Sequence, residues 1–207
     1  MMKQGLFITM EGPDGSGKST QIEAIRRFFE NKGENVIITR EPGGTQISEK
    51  IRNLLLDREN MEMDPMAEAL LYAASRAQLV SEVIKPALEK GVHVICDRFV
   101  DSSIAYQGFG RGLGDSVAVI NAYAVNNCMP DITFLMKLNP EIGKQRIKES
   151  EQDRMEMEKL EFHNRVFAGY ETLELEFPDR IVGIDATRNI GEISEEILSH
   201  VERLLTR

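Results

Sequence analysis

Apolar residues along the chain fall into five short dense runs, separated by longer tracts in which they recur every third or fourth position. The runs over 6–10 (LFITM), 36–39 (VIIT), 92–96 (VHVIC), 132–138 (ITFLMKL) and 181–184 (IVGI) each predict a strand. Between them, apolar residues at 47, 51, 54 and 55 predict a helix with Arg52 on its polar side. Asp64 suits an N-cap and Pro65 the first helical position, so a long helical tract is predicted from there to Gly91, with Ala67, Leu70, Leu71 and Ala74 as its apolar side. Further helices are predicted over 21–30, with Gly33 as C-cap, over 115–126, from Pro140, and over 159–177 and 193–205. Strands alternating with helices predict an α/β fold with a five-stranded parallel sheet and helices on both faces. The sequence contains no repeat, low-complexity tract or interdomain linker.

The first strand runs into Gly12-x-x-x-x-Gly17-Lys18-Ser19, and a helix follows. This is the P-loop pattern in the setting its chemistry requires, and it specifies a P-loop NTPase fold. Glycines at 12, 15 and 17 let the backbone curl so that successive N–H groups face an anion. The helix adds its positive dipole end, Lys18 a mobile charge for the outer phosphates, and Ser19 a hydroxyl for magnesium. ATP phosphates are therefore expected along Gly12, Pro13, Asp14, Gly15, Ser16, Gly17, Lys18, Ser19 and Thr20. Asp14 would repel the nucleotide unless it served a hydroxyl or a metal, which marks it as a substrate-side group.

Other candidates lie at strand ends, where open α/β sheets bind ligands. Arg40 opens Arg40-Glu41-Pro42-Gly43-Gly44 and is placed to meet a second phosphate, the alternative being a solvated loop arginine. Tyr72 and Arg76 are four apart on one helix face and could hold a nucleobase; on periodicity alone they read as a core aromatic and a surface arginine. Asp97, directly after the third strand, suits magnesium, and Arg98 follows it. His93 reads as structural, and no histidine catalysis is expected. The segment 101–114 (DSSIAYQGFGRGLG) combines hydroxyls, Tyr106, Gln107 and four glycines, a composition able to wrap a small polar ligand. The tract 146–157 is polar and charged until Met155 and is not expected in the core. It reads either as an exposed helix or as a mobile lid delivering Arg146 or Arg154 to transferring phosphates.

The chain has 207 residues, 42% of them hydrophobic, which suits one α/β domain over 1–207 with a sizeable core. Its 25 Lys and Arg against 34 Asp and Glu leave a net charge of −9, which argues against a nucleic acid polymer as partner. The N-terminus, MMKQGLFITM, lacks the apolar stretch of a signal peptide, and no run approaches the ~20 residues of a membrane span. A soluble, cytoplasmic protein with no membrane partner is expected. Cys96 and Cys128 lie in apolar surroundings without metal-like spacing, which predicts buried thiols with no disulfide and no structural zinc.

Taken in order, FITMEGPDGSGKST, TREPGGT, LLYAASRAQLV, CDRF, DSSIAYQGFGRG, the polar tract and the late Asp185-Ala186-Thr187 resemble the bacterial thymidylate kinases over essentially the whole chain. The resemblance implies transfer of the ATP γ-phosphoryl group to dTMP, with magnesium, in a homodimer paired through helices. Tyr72 resembles the aromatic on which thymine stacks, Arg76 the donor to a base carbonyl, and Gln107, with Ser103 nearby, the reader of the remaining polar edge. Tyr106 resembles the residue against the sugar that disfavours a 2′-hydroxyl. Arg40 and Arg98 resemble the pair gripping the dTMP phosphate, and Arg52 and Ser75 join the expected dTMP site. Asp14 would sit near the 3′-hydroxyl, Asp97 would position magnesium with Glu11, and the backbone of Asp185, Ala186 and Thr187 would flank adenine. Position 15 is glycine where some members carry arginine, so the catalytic cation should come from the lid, Arg154 first and Arg146 second. Phe99 stands where tyrosine is frequent. The rival classes are another nucleoside monophosphate kinase, for dUMP, dCMP or AMP; a P-loop switch or motor; and a nucleotide-binding module without activity. Asn31-Lys32-Gly33-Glu34 does not complete the Asn-Lys-x-Asp guanine motif, which disfavours a GTPase switch.

Overall fold

The computed structural model describes residues 4–146 and 153–206. In chain order the elements are β1 (Phe7–Glu11), α1 (Lys18–Asn31), β2 (Val36–Arg40), α2 (Gln46–Leu56), α3 (Pro65–Leu79), α4 (Lys85–Glu89) and β3 (His93–Asp97). They continue with α5 (Val100–Ser103), α6 (Ser116–Val125), β4 (Ile132–Lys137), α7 (Pro140–Arg146), α8 (Leu160–Glu176), β5 (Ile181–Asp185) and α9 (Ile190–Leu205). The five strands make one parallel sheet in the order β2-β3-β1-β4-β5. Register brings Met10 beside Asp97, Asp97 beside Arg40, and Lys137 beside Asp185, so the carboxyl ends line up along one edge.

Strand alternation divides the core between two faces. Ile8 and Met10 meet Ile22, Ile25 and Phe29 of α1 and Ile193, Ile197 and Val201 of α9. Phe7, Val94 and Cys96 face the other way, against Leu79, Val80, Ile84 and Leu88. On that side Leu135 and Ile181 pack on Phe162, Val166, Tyr170 and Leu173 of α8. The predicted strands agree with the observed ones to within a residue at each end. At the start of α3, Asp64 Oδ1 accepts from the Met66 and Ala67 N–H groups at 2.8 and 3.2 Å, with Pro65 at the first helical position. His93 is buried, accepts from Leu6 N at 2.9 Å and stacks on Phe29, while both cysteines are buried free thiols. No helix among the described residues is long and apolar enough to cross a membrane.

Two expectations require correction, and one unassigned segment gains elements. The tract 64–91 is not one α-helix: a π-helical turn, Val80–Ile84, precedes α4, whose Pro86 cannot donate to the regular ladder. The segment 101–114, to which the sequence assigns no element, carries α5 and a second π-helical turn, Ile104–Gly110. Finally, the charged tract 146–157 does enter the core at its end, where Arg154 and Met155 are buried. Its residues 147–152 lie outside the described residues.

One buried ion pair ties the two halves of the fold. The Arg180 guanidinium grips Asp101 at 2.6 and 2.8 Å and also donates to Thr133 on β4 at 2.9 Å. Asp101 is 1% exposed, so deleting the cation leaves a buried charge unpaired. Arg180→Met is expected to cost about 3 kcal/mol of unfolding free energy, read from urea denaturation midpoints at neutral pH.

Candidate active site

The loop between β1 and α1 closes against the neighbouring strand and helix. Gly12 has φ 122°, and a Cβ there would run into the Met136 carbonyl of β4. At Gly15, φ 75°, a Cβ would stand 2.8 Å from the Gly143 carbonyl. The missing side chain at 15 thus lets α7 approach, and Arg146 at the end of α7 donates to Gly15 O at 2.9 Å. Lys18 curls back over the loop, donating to the Gly12 and Pro13 carbonyls at 3.1 and 3.0 Å and to Asp14 at 3.4 Å. Burial and the Arg98 charge lower the Lys18 pKa, opposed by Asp14 and Asp97. Ser19 and Thr20 are exposed on the first turn of α1, whereas Ser16 Oγ is buried with no hydrogen-bond partner among the described residues.

Beside the loop lies a cavity of about 190 Å³. Eight of the expected acceptor residues line it: Arg40, Arg52, Tyr72, Arg76, Arg98, Ser103, Tyr106 and Gln107. Ser75 does not. Its hydroxyl accepts from Gly43 N at 3.2 Å and its carbonyl from Ser48 Oγ at 2.9 Å, so it holds the Pro-Gly-Gly turn from behind. Arg40 pairs with Glu49 at 3.0 Å in solvent, and Arg52 donates to Pro42 O at 2.8 Å.

Arg76 is 1% exposed, so it is not a surface arginine. It is ion-paired with Glu41, bonded to Asn121, and donates to Ser103 Oγ and the Phe99 carbonyl, each at 3.0 Å. Its Nε and Glu41 Oε1 have no hydrogen-bond partner among the described residues.

Arg98 forms the seam between cradle and cavity. It sits at φ 66°, an uncommon conformation for a side chain with a Cβ, and donates to Asp14 at 2.8 Å and to Ser102 and Tyr170 at 3.3 Å. Its guanidinium lies 5.3 Å from the centre of the Tyr106 ring. Burial alone would raise the Asp14 pKa, but Arg98 and Lys18 hold it well below the usual carboxylate range.

The remaining expected residues are placed as follows. Asp97 Oδ1 is buried without a hydrogen-bond partner among the described residues, an acceptor left for something absent from the chain. Among the described residues no cluster of three or more His, Cys, Asp or Glu could hold a metal. The unpartnered Asp97 oxygen and the exposed Ser19 are oxygen donors of the kind magnesium takes, an ion that keeps waters and substrate phosphates as ligands and needs few from protein. Glu11 does not fit that role. Its oxygens accept from Phe99 N (2.7 Å), Ser102 N (3.3 Å), Ser102 Oγ (2.6 Å) and Tyr170 OH (2.9 Å), which makes it a structural hub. Arg154 also departs from expectation: its Nε donates to Leu55 O and its Nη2 to Glu68, both at 2.7 Å, away from the loop that Arg146 reaches. At the end of β5, Asp185 Oδ1 accepts from Thr187 N and Oγ1 at 2.9 and 2.6 Å, and Ala186 N donates to Lys137 O at 3.0 Å, along the same sheet edge.

Sequence reasoning left Glu41, Glu68, Ser102 and Tyr170 without roles. Glu68 had a signal: it is four residues before Tyr72 and eight before Arg76, on the same helix face.

A phosphate cradle opening onto a walled cavity with its own arginines defines the class: a P-loop nucleotide kinase, with separate places for donor and acceptor. A family model for thymidylate kinase matches residues 10–197. The chain is 50% identical to a thymidylate kinase of Exiguobacterium sp. over 203 residues, covering 97% of this chain and 96% of that one. It is 47% identical to a thymidylate kinase of Bacillus cytotoxicus over 206 residues, 98% and 99% of the two chains. The crystal structure of thymidylate kinase from Ehrlichia chaffeensis superposes with a TM-score of 0.79 at 34% identity, covering 96% of this chain and 99% of that one. The chain belongs to the thymidylate kinase family.

The Glu11 hub makes stability depend on pH. Burial, then the charge of Asp101, push its pKa up to about 7, against the opposing pull of Arg98, Ser102 and the Phe99 N–H. The folded state therefore keeps a proton that the unfolded chain releases near its ordinary carboxylate pKa, and stability falls as pH rises between the two values. Wild type should lose stability relative to Glu11→Gln between pH 5 and 7, with a slope approaching about 1.4 kcal/mol per pH unit. Parallel slopes in urea titrations of the two proteins at several pH values would remove Glu11 as the source.

Proposed function

We propose that this chain transfers the γ-phosphoryl group of ATP to dTMP, giving dTDP and ADP, with its donor bound over the loop 12–20 and its acceptor in the adjoining cavity. The observation that carries this is Arg98, which bonds the P-loop residue Asp14 and lines the adjoining cavity, and so supports a role for its charge between donor and acceptor. In the cavity, Tyr72 stacks on the base, Arg76 donates to a base carbonyl, Gln107 and Ser103 meet the remaining polar edge, and Tyr106 lies against the sugar. Asp14 serves the 3′-hydroxyl. Arg40 and Arg98, with Arg52 behind them, hold the acceptor phosphate. A non-bridging oxygen of that phosphate forms a bond to the γ-phosphorus as the bond to the β-phosphate oxygen breaks, in line, and no bond to the enzyme is made.

Lys18 and the backbone N–H groups of the loop hold the phosphates and take up charge as the γ-group moves. Ser19 and Asp97 would hold Mg2+, which when bound neutralises phosphate charge and orients the outer phosphates. The backbone of Asp185, Ala186 and Thr187 flanks adenine. We further infer a single catalytic domain over 1–207 with a lid at 146–157, in a cytoplasmic homodimer. The family resemblance supports the dimer, as do Val119 and Tyr123, which α6 leaves exposed.

The direct test is ADP production from Mg-ATP with dTMP, dUMP, dCMP, dGMP, AMP or no acceptor. Strong turnover selective for dTMP is expected, and hydrolysis indifferent to acceptor would overturn the proposal. For the lid, the contact of Arg146 with Gly15 supports taking Arg146 before Arg154. Arg146→Ala is expected to lower kcat by about 100-fold with little change in the KM for dTMP, because it acts on the transferring group. Arg154→Ala is expected to raise that KM instead, through loss of its bond to Glu68. Steady-state kinetics of both variants decide, and an unaffected kcat in Arg146→Ala would return the role to Arg154.

A further inference from the structure

Glu68 occupies the first turn of α3, fully buried, and does not itself line the acceptor cavity. Its Oε1 accepts from Gln107 Nε2 at 2.9 Å and from Arg111 Nε at 3.1 Å. Its Oε2 accepts from Arg111 Nη2 at 3.0 Å and from Arg154 Nη2 at 2.7 Å. Two guanidinium groups keep such a carboxylate ionised, and an ionised carboxylate only accepts. Gln107 must therefore turn its NH2 toward Glu68. The opposite end of the amide, Oε1, has no donor among the described residues, and Gln107 lines the cavity. In the same cavity stands Arg76, a pure donor, with its Nε unpartnered among the described residues.

An acceptor beside a donor matches the imide edge of thymine or uracil, where an N–H lies next to a carbonyl. Cytosine presents the reverse, a bare ring nitrogen next to an amino group. We propose that Glu68 is the positioning residue for base selection: by fixing the Gln107 amide with Oε1 toward the cavity, it admits imide bases and turns away cytosine. This rests on the reading of the cavity as the dTMP site.

Glu68→Gln tests it with almost no change of shape. The Oε2 position faces two cationic donors and Oε1 one, so oxygen keeps the Oε2 position and the new NH2 takes the Oε1 position, where it confronts both the Arg111 Nε–H and the Gln107 NH2, of which only Gln107 can turn an acceptor toward it. Gln107 then gains by flipping, which presents its NH2 to the base. The ratio of kcat/KM for dTMP over dCMP should fall about tenfold or more in Glu68→Gln, since a buried donor now meets the thymine N–H. The ratio for dTMP over dUMP should not change, because the amide does not read the methyl group. Glu68→Asp keeps a pure acceptor and should retain the preference against dCMP even where overall activity drops, which also serves if Glu68→Gln does not fold.

Gln107→Met separates the possible failures. If it narrows the dTMP:dCMP ratio and Glu68→Gln does not, the role of Glu68 is overturned and the site assignment stands. A uniform loss for all three acceptors in Glu68→Gln, or loss of the preference in a folded Glu68→Asp, would likewise reduce Glu68 to a structural part. No preference for dTMP in wild type would overturn the reading of the cavity itself.

Discussion

A site for two polyanions has to hold its cations in place before the anions arrive, and isolated cations do not stay buried. Among the described residues the deeply placed cations are matched with carboxylates: Lys18 and Arg98 share Asp14, Arg76 has Glu41, Arg111 and Arg154 share Glu68, and Arg180 has Asp101. Such pairing lets a chain of net charge −9 keep a local surplus of cations at a site for nucleotides. Acidic residues act locally as counter-ions, so the phosphate-binding groups are preorganised without a basic surface. Arg40 is the contrasting case: it is half exposed, water screens its charge, and its pair with Glu49 is a surface contact that contributes little.

Much of this was legible in the sequence wherever chemistry and local structure coincide. The P-loop, its strand and its helix occupy consecutive residues, and the pair Asp64-Pro65 specifies a helix start through contacts within one turn. Tyr72, Arg76, Tyr106 and Gln107 could be named because they fall in motifs, and all four line one cavity. Polarity alone misled at Arg154, whose charged neighbourhood predicts solvent but whose partners, Leu55 and Glu68, lie 99 and 86 residues away in sequence. The same holds for Glu11 and Glu68. A carboxylate at a strand end or in a first helical turn has an ordinary local explanation, and its true role emerges only when distant donors converge on it.

Part of the irregular backbone lies at the acceptor cavity. Arg98 is held at φ 66°, and the π-helical turn Ile104–Gly110 carries both Tyr106 and Gln107. A π turn widens the helix by one residue and re-aims the side chains that follow. Regular α-periodicity could not have predicted which face those side chains share, which is why composition alone, and no element, could be read for the segment. Such local departures persist only when surrounding contacts over-determine them. For Arg98 those contacts are Asp14, Ser102 and Tyr170.

Glu11 explains how the cradle and the acceptor wall keep their relation. It ends β1, the strand that leads into the P-loop, and it binds the N-terminal turn of α5 and Tyr170 of α8 at once. Displacing α5 from β1 would therefore strand a buried carboxylate without donors, a larger cost than loss of a surface contact. The backbone N–H of Phe99 at this hub is adjacent to Arg98, and the Phe99 carbonyl receives Arg76. A single buried acid thus sets the distance between the loop that takes the donor phosphates and the arginines that take the acceptor. Alignment within a fraction of an ångström is what an in-line transfer requires of a protein that contributes no covalent chemistry.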